Sequence, residues 1–259
     1  IRSLVHDQGV GLIVIGGKGT PGGLNAAGQP SLTRPPACTQ LTPAGTPPRV
    51  RASHSALYDP KRDRMLVFGG SFGGVTYSDV WELPLSGAPA WNLLLPTGLP
   101  PARTGHLAIY DPIRDRMLIY GGTNYTGQLT DLWALNLSPS LAWVALPLLG
   151  SPPAGGSAAI YDSPRDRVLL FPGSQTVAAL SLTGTPTWTS LAPAGSPSNT
   201  HYGYAVAYDR NADRALIFGG SMLDGSMRAD VLALYWGTPL AVDGGATLAG
   251  HFAFAAPRP

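Results

Sequence analysis

The stretch YDPKRDRMLVFGG at residues 58–70 places a cluster of charges directly before an apolar run that ends at two glycines. Charges beside paired glycines are typical of a phosphate-binding loop or an acid–base site. The stretch returns as YDPIRDRMLIYGG at 110–122, YDSPRDRVLLFPG at 161–173 and YDRNADRALIFGG at 208–220, with a degraded copy, HDQGVGLIVIGG, at 6–17. An active site is built once, so charges that return from copy to copy indicate architecture rather than catalysis.

The spacing of the copies predicts the fold. The first glycine positions, 16, 69, 121, 172 (a proline) and 219, lie 53, 52, 51 and 47 residues apart. Within each unit, short apolar or alternating segments are separated by turn residues, which indicates a four-stranded antiparallel sheet. Sustained helical periodicity is missing, so we expect almost no helix. Such units at a period of about 50 residues are typical of a β-propeller.

The units resemble kelch repeats. The resemblance rests on the double glycine that ends the second strand, on Tyr58 and its equivalents, and on Trp91, Trp143 and Trp188 in the fourth strands. It covers about residues 3–236 and implies an all-β, kelch-type β-propeller of four-stranded antiparallel blades. Five blades are visible, and six or seven are expected if the chain is a fragment of a larger propeller. The YDPxRDRMLVFGG variant also resembles kelch arrays of large bacterial secreted or surface proteins.

We predict a single propeller domain over residues 1–259, with blades at about 1–48, 49–101, 102–153, 154–198 and 199–248. The remaining segment, 249–259, contains AGHFAFAAP, which resembles TGHLAIYDP at 104–112. It is therefore predicted to be an extra first strand. In one interpretation it closes the ring against the first blade, and in the other the chain is cut at both ends. The segments SDVWEL (78–83), TDLWAL (130–135), VAALSL (177–182) and ADVLAL (229–234) are aligned as third strands.

Composition excludes several classes of protein. Charged residues are 12% and the net charge is +2, which argues against a nucleic-acid partner. No apolar run approaches the ~20 residues of a membrane span, so we expect no membrane insertion. Cys38 is the single cysteine, which excludes an intrachain disulfide and a cysteine-rich metal site. It stands where other units have tryptophan and is interpreted as a small buried hydrophobe. We predict no metal and no cofactor.

The repeated acids are predicted to be structural. The first Asp of each DPxRD-type turn accepts backbone N–H groups, and the following Arg-Asp-Arg ties the turn and reaches the neighbouring blade.

Recognition is expected in the variable loops after the glycines and at the residues that enter the first strands, which share one face. Arginine and histidine around a channel mouth would suit an acidic or carboxylate-bearing ligand. In the competing interpretation, the histidines are satisfied strand residues and the arginines pair with nearby acids. The candidate ligand-binding residues are Arg51, His54, Phe72, Tyr77, Arg103, His106, Tyr125, His201, Tyr204 and Asp224.

The sequence favours a non-catalytic binding or structural module of a secreted or cell-surface protein, with a protein or glycan ligand. The expected location is extracellular or at the cell surface, in a larger chain or surface assembly. Low lysine with high alanine, proline and glycine content looks bacterial. The alternative is a kelch-type enzyme that resembles sialate epimerases and acts on a sugar at the same channel mouth. No catalytic residue is predicted, and Asp224 is the one candidate carboxylate on that face.

Overall fold

The structure, a computed structural model, describes residues 3–7, 11–19, 22–30, 38–151, 158–172, 176–191, 201–222, 225–227, 231–236 and 252–255. It contains five four-stranded antiparallel sheets and three two-stranded ones. A single 3₁₀ turn, Ser163–Arg165, interrupts the strands, and no α-helix occurs in these ranges. The chain forms two compact units, Ile1–Leu146 and Pro147–Pro259.

The first unit holds three four-stranded sheets. The first sheet consists of β1 (Ser3–Asp7), β2 (Gly11–Gly19), β3 (Gly22–Pro30) and β4 (Cys38–Leu41). The second consists of β5 (Ser55–Asp59), β6 (Arg64–Phe68), β9 (Val80–Pro84) and β10 (Asn92–Leu94), with the short hairpin β7 (Ser71–Phe72) and β8 (Val75–Thr76) inserted after β6. The third consists of β11 (Leu107–Asp111), β12 (Arg116–Tyr120), β15 (Leu132–Asn136) and β16 (Ala142–Leu146), with the hairpin β13 (Thr123–Asn124) and β14 (Gly127–Gln128).

The second unit holds two more. The fourth sheet consists of β17 (Ala158–Asp162), β18 (Arg167–Phe171), β19 (Val177–Ser181) and β20 (Thr187–Leu191). The fifth consists of β22 (Ala205–Asp209), β23 (Arg214–Phe218), β25 (Val231–Tyr235) and β26 (Phe252–Ala255), and the short strands β21 (His201–Tyr202) and β24 (Ser221–Met222) pair beside it. All ladders are antiparallel and follow chain order.

The C-terminal strand does not take the place that its sequence suggested. β26 pairs with β25, with Leu232 opposite Phe254, and is the outermost strand of the fifth sheet. The first sheet has its own first strand, because β1 pairs with β2 along its whole length. First and fourth strands are both short and apolar. The resemblance of AGHFAFAAP to residues 104–112 therefore could not show which of the two strands this segment forms.

The third strand of the fourth sheet starts two residues earlier than its sequence alignment indicated. Arg167 lies opposite Ser181, whereas its equivalent in the second sheet, Arg64, lies opposite Pro84. Thr176 therefore takes the place of Asp79 in the fourth sheet. The segment has neither the aspartate nor the tryptophan that marks this strand elsewhere, so its register could not be read from the sequence.

Alternate residues of the second strands pack in opposite directions. Met65 and Val67 join a cluster with Trp91, whereas Leu66 and Phe68 pack with Met117 and other residues of the third sheet. In the second unit, Leu169 and Phe171 pack with Ala215 and Ile217 of the fifth sheet. A second strand that is buried on both faces explains why these segments are continuously apolar.

The charged turns between first and second strands, which we call the clasp ends, are structural. Asp59 is fully buried and accepts hydrogen bonds from the side chains of Arg62 and Arg64 and from the backbone N–H of Lys61. Arg62 then reaches Asp115 of the third sheet at 2.7 Å. The predicted role of DPxRD therefore agrees with the geometry. In the second unit, Arg165 contacts Asp213 in the same way at 2.6 Å.

In four of the sheets, the aspartate before the second strand adopts a left-handed backbone. The φ angles of Asp63, Asp115, Asp166 and Asp213 lie between 44° and 49°. Aspartate tolerates this conformation better than most residues. Tyr58 donates its hydroxyl to Asp63, and the equivalent tyrosines do so in the other turns.

Candidate functional site

Two short hairpins rise from the end of the sheets opposite the clasp ends, at residues 71–76 and 123–128. We call their combined surface the hairpin face. Phe72, Val75 and Tyr125 on these hairpins are 42%, 54% and 93% exposed. The loops that contain them, SFGGVTYS at 71–78 and TNYTGQLT at 123–130, carry no charged residue. The surface is therefore neutral and aromatic, which is the composition that protein interfaces favour.

The bases of the two hairpins are joined. Ser71 exchanges two backbone hydrogen bonds with Ala52, and Thr123 exchanges two with Thr104. The hydroxyl of Ser71 donates to that of Thr104 at 3.3 Å, which links the second sheet to the third. The hairpins thus stand side by side on a common base.

Paired glycines are required at these bases because the neighbouring sheet approaches closely. The N–H of Gly70 donates to the carbonyl of Arg103 at 2.9 Å. A Cβ on Gly69 would lie 2.7 Å from that carbonyl oxygen, and one on Gly70, at φ 90°, would lie 2.8 Å from the carbonyl oxygen of Ala52. The glycines therefore allow the backbones of neighbouring sheets to approach each other closely.

Beneath the hairpins, two arginines are buried in ion pairs. Arg51 is 2% exposed and holds both carboxylate oxygens of Asp79, at 2.7 and 2.8 Å, and the carbonyl of Gly69 at 2.9 Å. Arg103 is fully buried and holds Asp131 and the carbonyl of Gly121 in the same geometry. A planar guanidinium group is well suited to bind both oxygens of a carboxylate.

These pairs also determine the ionisation of the two aspartates. Burial alone would raise the pKa of Asp79, but hydrogen bonds from Arg51 and from the indole of Trp81 hold that pKa below its ordinary value. Asp131 has a lowered pKa for the same reasons, with Arg103 and Trp133 as its partners. Each guanidinium charge is matched by a carboxylate and is unavailable to an acidic ligand.

The two histidines of the predicted channel mouth are buried between the sheets. His106 is 7% exposed, shares a 2.8 Å hydrogen bond with the hydroxyl of Ser55 and meets Phe68 edge to face. Burial, with the charge of Arg103, lowers the pKa of His106 to about 3. Burial, with the charge of Arg51, lowers that of His54 to about 4. Both rings are therefore neutral near pH 7 and contribute no positive charge to a ligand site.

The structure divides the predicted ligand-binding residues into three groups. Arg51, Arg103, His54, His106 and Tyr204, which one interpretation assigned to a ligand, are all buried. The contacts of the two arginines agree with the competing interpretation, in which they pair with nearby acids. The hydroxyl of Tyr204 donates to the carbonyl of Phe171 at 2.7 Å.

The second group lies on or beneath the hairpin face. Phe72 and Tyr125 are exposed there, and Tyr77 is half-buried with its ring 4.6 Å from the guanidinium carbon of Arg51. For the third group, the backbone of His201 lies in β21, while its side chain and the whole of Asp224 lie outside the described residues.

The competing interpretation expected the arginines to pair with nearby acids but did not name Asp79 and Asp131 as those acids. With the register of the structure, the sequence does contain a signal for this pairing. The fourth unit has Ala154 at the position of Arg51 and Thr176 at the position of Asp79. The two charges are lost together, as partners would be. Val75 was also missed, since a single valine in a loop gives no pattern.

The part of the chain that the structure describes contains no group of three or more histidine, cysteine, aspartate or glutamate side chains that could hold a metal. It also contains no helix long and apolar enough to cross a membrane. What the hairpin face offers is apolar and aromatic contact with polar hydroxyl and amide groups around it.

Comparison with known proteins agrees with this architecture. Residues 5–178 match the family model of the KLHDC2/KLHL20/DRC7 kelch-repeats domain. The chain belongs to the kelch-repeat family. Among solved structures, that of YjhT aligns over 98% of this chain and 97% of its own, with a TM-score of 0.59 and 15% identity, a likeness of fold alone. The predicted all-β kelch propeller class is thereby confirmed.

Curated kelch relatives are longer proteins. Putative adagio-like protein 2 of Oryza sativa subsp. japonica is 28% identical over 241 residues, which are 82% of this chain and 37% of that protein. The leucine-zipper-like transcriptional regulator 1 homolog of Drosophila melanogaster is 27% identical over 68% of this chain and 20% of its own length. The human Rab9 effector protein with kelch motifs is 29% identical over 64% of this chain and 48% of its own. The chain thus spans less than half of these relatives.

Proposed function

We propose that this kelch chain is a non-catalytic binding module that takes a protein partner on the hairpin face. The observation that carries the proposal is the exposure of Phe72, Val75 and Tyr125 on two charge-free hairpins with a joined base. Exposed aromatic residues on a rigid base lose little conformational entropy when they bind. They also resemble the aromatic anchors that dominate binding energy in protein interfaces.

A protein is favoured over a glycan or an acidic ligand by two considerations. The arginines that made an acidic ligand attractive, Arg51 and Arg103, are buried and paired, so neither offers a free cation to a ligand. In addition, one relative is named an effector of Rab9, a name that refers to a protein partner for that relative. The sialate-epimerase-like alternative depended on the same arginines, and nothing in the described residues favours it.

Peptide display tests the proposal directly. A random peptide library is selected on the wild-type chain, and the enriched peptides are measured against the double variant Phe72→Ser plus Tyr125→Ser. We expect the double variant to lose at least about tenfold in affinity, because two anchors are removed from the centre of the face. Ile113→Ser is the matched control, since Ile113 is 61% exposed but lies in a turn at the clasp end.

Two results would contradict the proposal. Peptides that bind the double variant as well as the wild type would show that the hairpin face is not the site. Binding on a glycan array that depends on Phe72 and Tyr125, with no peptide enriched, would keep the face and replace the protein partner with a sugar.

We further propose that the five sheets are blades of one five-bladed propeller, or of a six- or seven-bladed one in a longer chain. The regular order of strands in each sheet supports a repeated blade. A secreted or cell-surface location in a bacterium is proposed from the repeat variant at 58–70. Fractionation of the source cells with an antibody against the chain tests the location, and recovery in the cytosol would refute it.

A further inference from the structure

The two ion pairs beneath the hairpins expose their charges unequally. The side chain of Arg51 is 3% exposed, whereas that of its partner Asp79 is 29% exposed. The side chain of Arg103 is fully buried, whereas 37% of the Asp131 side chain is exposed. In both pairs the guanidinium group lies inside the protein and the carboxylate reaches the surface. The negative end of each pair therefore faces solvent.

The ion pairs at the clasp ends have the opposite polarity. Asp59 is fully buried against Arg62, whose side chain is 29% exposed. Asp111 is likewise buried against Arg114, whose side chain is 30% exposed. The second and third sheets thus present guanidinium groups at one end and carboxylates at the other, so a charged ligand meets opposite charges at the two ends.

The more exposed of the two carboxylates stands at the base of a hairpin. The N–H of Gly121 donates to the carbonyl of Asp131 at 3.2 Å, which places Asp131 beside the start of that hairpin. Tyr125, in its turn, is 93% exposed. The arms of the hairpin, Thr123–Asn124 and Gly127–Gln128, are two residues long, or about 7 Å. One short segment of a partner can therefore meet both the aromatic ring and the carboxylate.

Asp131 remains ionised although it is paired. Burial raises its pKa, but hydrogen bonds from Arg103 and from the indole of Trp133 hold that pKa below its ordinary value. A carboxylate offers about four lone-pair positions, and the three side-chain N–H groups on Asp131 leave its exposed edge able to accept another donor. The donors that bind an ionised carboxylate most strongly are cationic.

The third sheet suits a cationic ligand better than the second sheet does. In the second sheet, the backbone carbonyl of Arg49 accepts a hydrogen bond from Arg51, and Arg49 is exposed, so an exposed cation accompanies Asp79. In the third sheet, Pro101 takes the place of Arg49 and accepts the equivalent bond from Arg103. Asp131 is therefore not offset by an exposed cation at this position.

We propose, resting on the proposed function, that the protein partner of the hairpin face presents a lysine or arginine to Asp131 and an adjacent apolar residue to Tyr125. The partner segment is thus basic and apolar, and not acidic. The long apolar stems of lysine and arginine suit this arrangement, because they pack along aromatic surface while the charged end reaches a carboxylate.

The peptides selected on the wild-type chain test this chemistry without altering a buried ion pair. We expect lysine and arginine to be enriched relative to the input library, and aspartate and glutamate to be depleted. Replacing the basic residue of an enriched peptide with glutamine should weaken binding about fivefold. Raising NaCl from about 50 to about 500 mM should weaken binding of the basic peptide and leave that of its glutamine version nearly unchanged.

Thr130→Lys supplies the cation from the chain itself. Thr130 is exposed and directly precedes Asp131, so the new lysine should remove the difference in affinity between the basic peptide and its glutamine version. The Arg103–Asp131 pair is left in place. Ile113→Lys is the matched control, since it adds the same charge at the clasp end, where Ile113 is 61% exposed, and should preserve that difference.

The outcomes separate this proposal from the one on which it rests. Peptides that depend on Phe72 and Tyr125 but bind equally well with glutamine, or that are enriched in acidic residues, overturn the basic partner and keep the hairpin face as the binding site. An equal effect of Ile113→Lys also overturns it, because net charge would then explain the preference. If no enriched peptide depends on Phe72 and Tyr125, the proposed function fails and the basic partner fails with it.

Discussion

The two ends of the second sheet both use an arginine–aspartate pair, yet the pairs perform different tasks. At the clasp end, Arg62 is 29% exposed and joins Asp115 of another sheet. At the hairpin end, the side chain of Arg51 is 3% exposed and joins Asp79 of its own sheet, while backbone bonds such as Gly70 to Arg103 connect the sheets. At the hairpin end the sheets are thus joined mainly by backbone bonds, with one hydroxyl pair, Ser71 and Thr104, from the loop bases, so the tips of the loops can vary without loosening the fold.

The largest expected effect comes from the buried pair. Arg103→Met should lower the free energy of unfolding by about 3–5 kcal/mol, because Asp131 loses both guanidinium bonds while the carbonyl of Gly121 loses its donor. Urea unfolding measures the change. Arg49→Met is the control, since Arg49 is exposed and should change stability by less than about 0.5 kcal/mol.

A second variant shows whether the unpaired charge causes the loss. Arg103→Met combined with Asp131→Ala should be more stable than Arg103→Met alone, since no carboxylate is then left without its cation. Equal losses in the single and double variants would mean that packing, and not the ion pair, decides stability at this end.

The glycine at the hairpin base gives the next largest effect. Gly70→Ala should cost at least about 2 kcal/mol, because the new Cβ meets the Ala52 carbonyl and His54 in a backbone that favours glycine. Gly74→Ala has a similar φ but nothing within 4 Å of its Cβ, so it should cost only about 1 kcal/mol. If the two losses in thermal or urea unfolding were equal, close approach of the sheets would not explain the paired glycines.

Acid should weaken the hairpin end before it affects the clasp end. The folded-state pKa of His106 is lowered to about 3 from an ordinary 6.5, so its contribution is complete above pH 6.5 and is lost as pH falls toward 3. Between pH 6.5 and about pH 5 this histidine alone should cost about 1.5 kcal/mol in the free energy of unfolding. His54 adds to the loss in the same direction.

His106→Gln removes the titrating ring and should flatten this pH dependence when urea unfolding is repeated at both pH values. Asp213 at the clasp end titrates at lower pH, because hydrogen bonds from Arg165 lower its pKa to about 2. An unaltered slope in the variant would assign the acid sensitivity to other groups.

The smallest effect is expected at the clasp end. The coupling between Arg62 and Asp115 should be about 0.5–1 kcal/mol in a double-mutant cycle of Arg62→Ala and Asp115→Ala, since partly exposed ion pairs are screened by water. High salt should reduce it further. A coupling energy between Arg62 and Asp115 as large as the loss of unfolding free energy in Arg103→Met would mean that the ion pairs at the two ends stabilise the fold equally.

Much of the fold followed from the sequence because its signals are local. Strand, turn and glycine recur at a regular interval, and the role of Asp59 depends only on neighbours five residues away or fewer. Whether Arg51 is free to bind a ligand depends instead on its pairing with Asp79, 28 residues away in the sequence, and on its burial, which no local pattern predicts. The position of β26 could not be predicted for the same reason, because its pairing with β25 depends on the rest of the sheet and not on its own residues.

The buried pair of Arg51 and Asp79 also constrains how such an array can diverge after its units are duplicated. Loss of either residue alone leaves the other without its counter-ion, and a chain with only one of the two is therefore less stable. The fourth unit, with Ala154 and Thr176, has lost both, and the fifth, with His201 and Asp230, has kept one basic and one acidic residue. The two positions therefore vary together among these four units, since two units carry arginine and aspartate, one carries histidine and aspartate, and one carries neither charge.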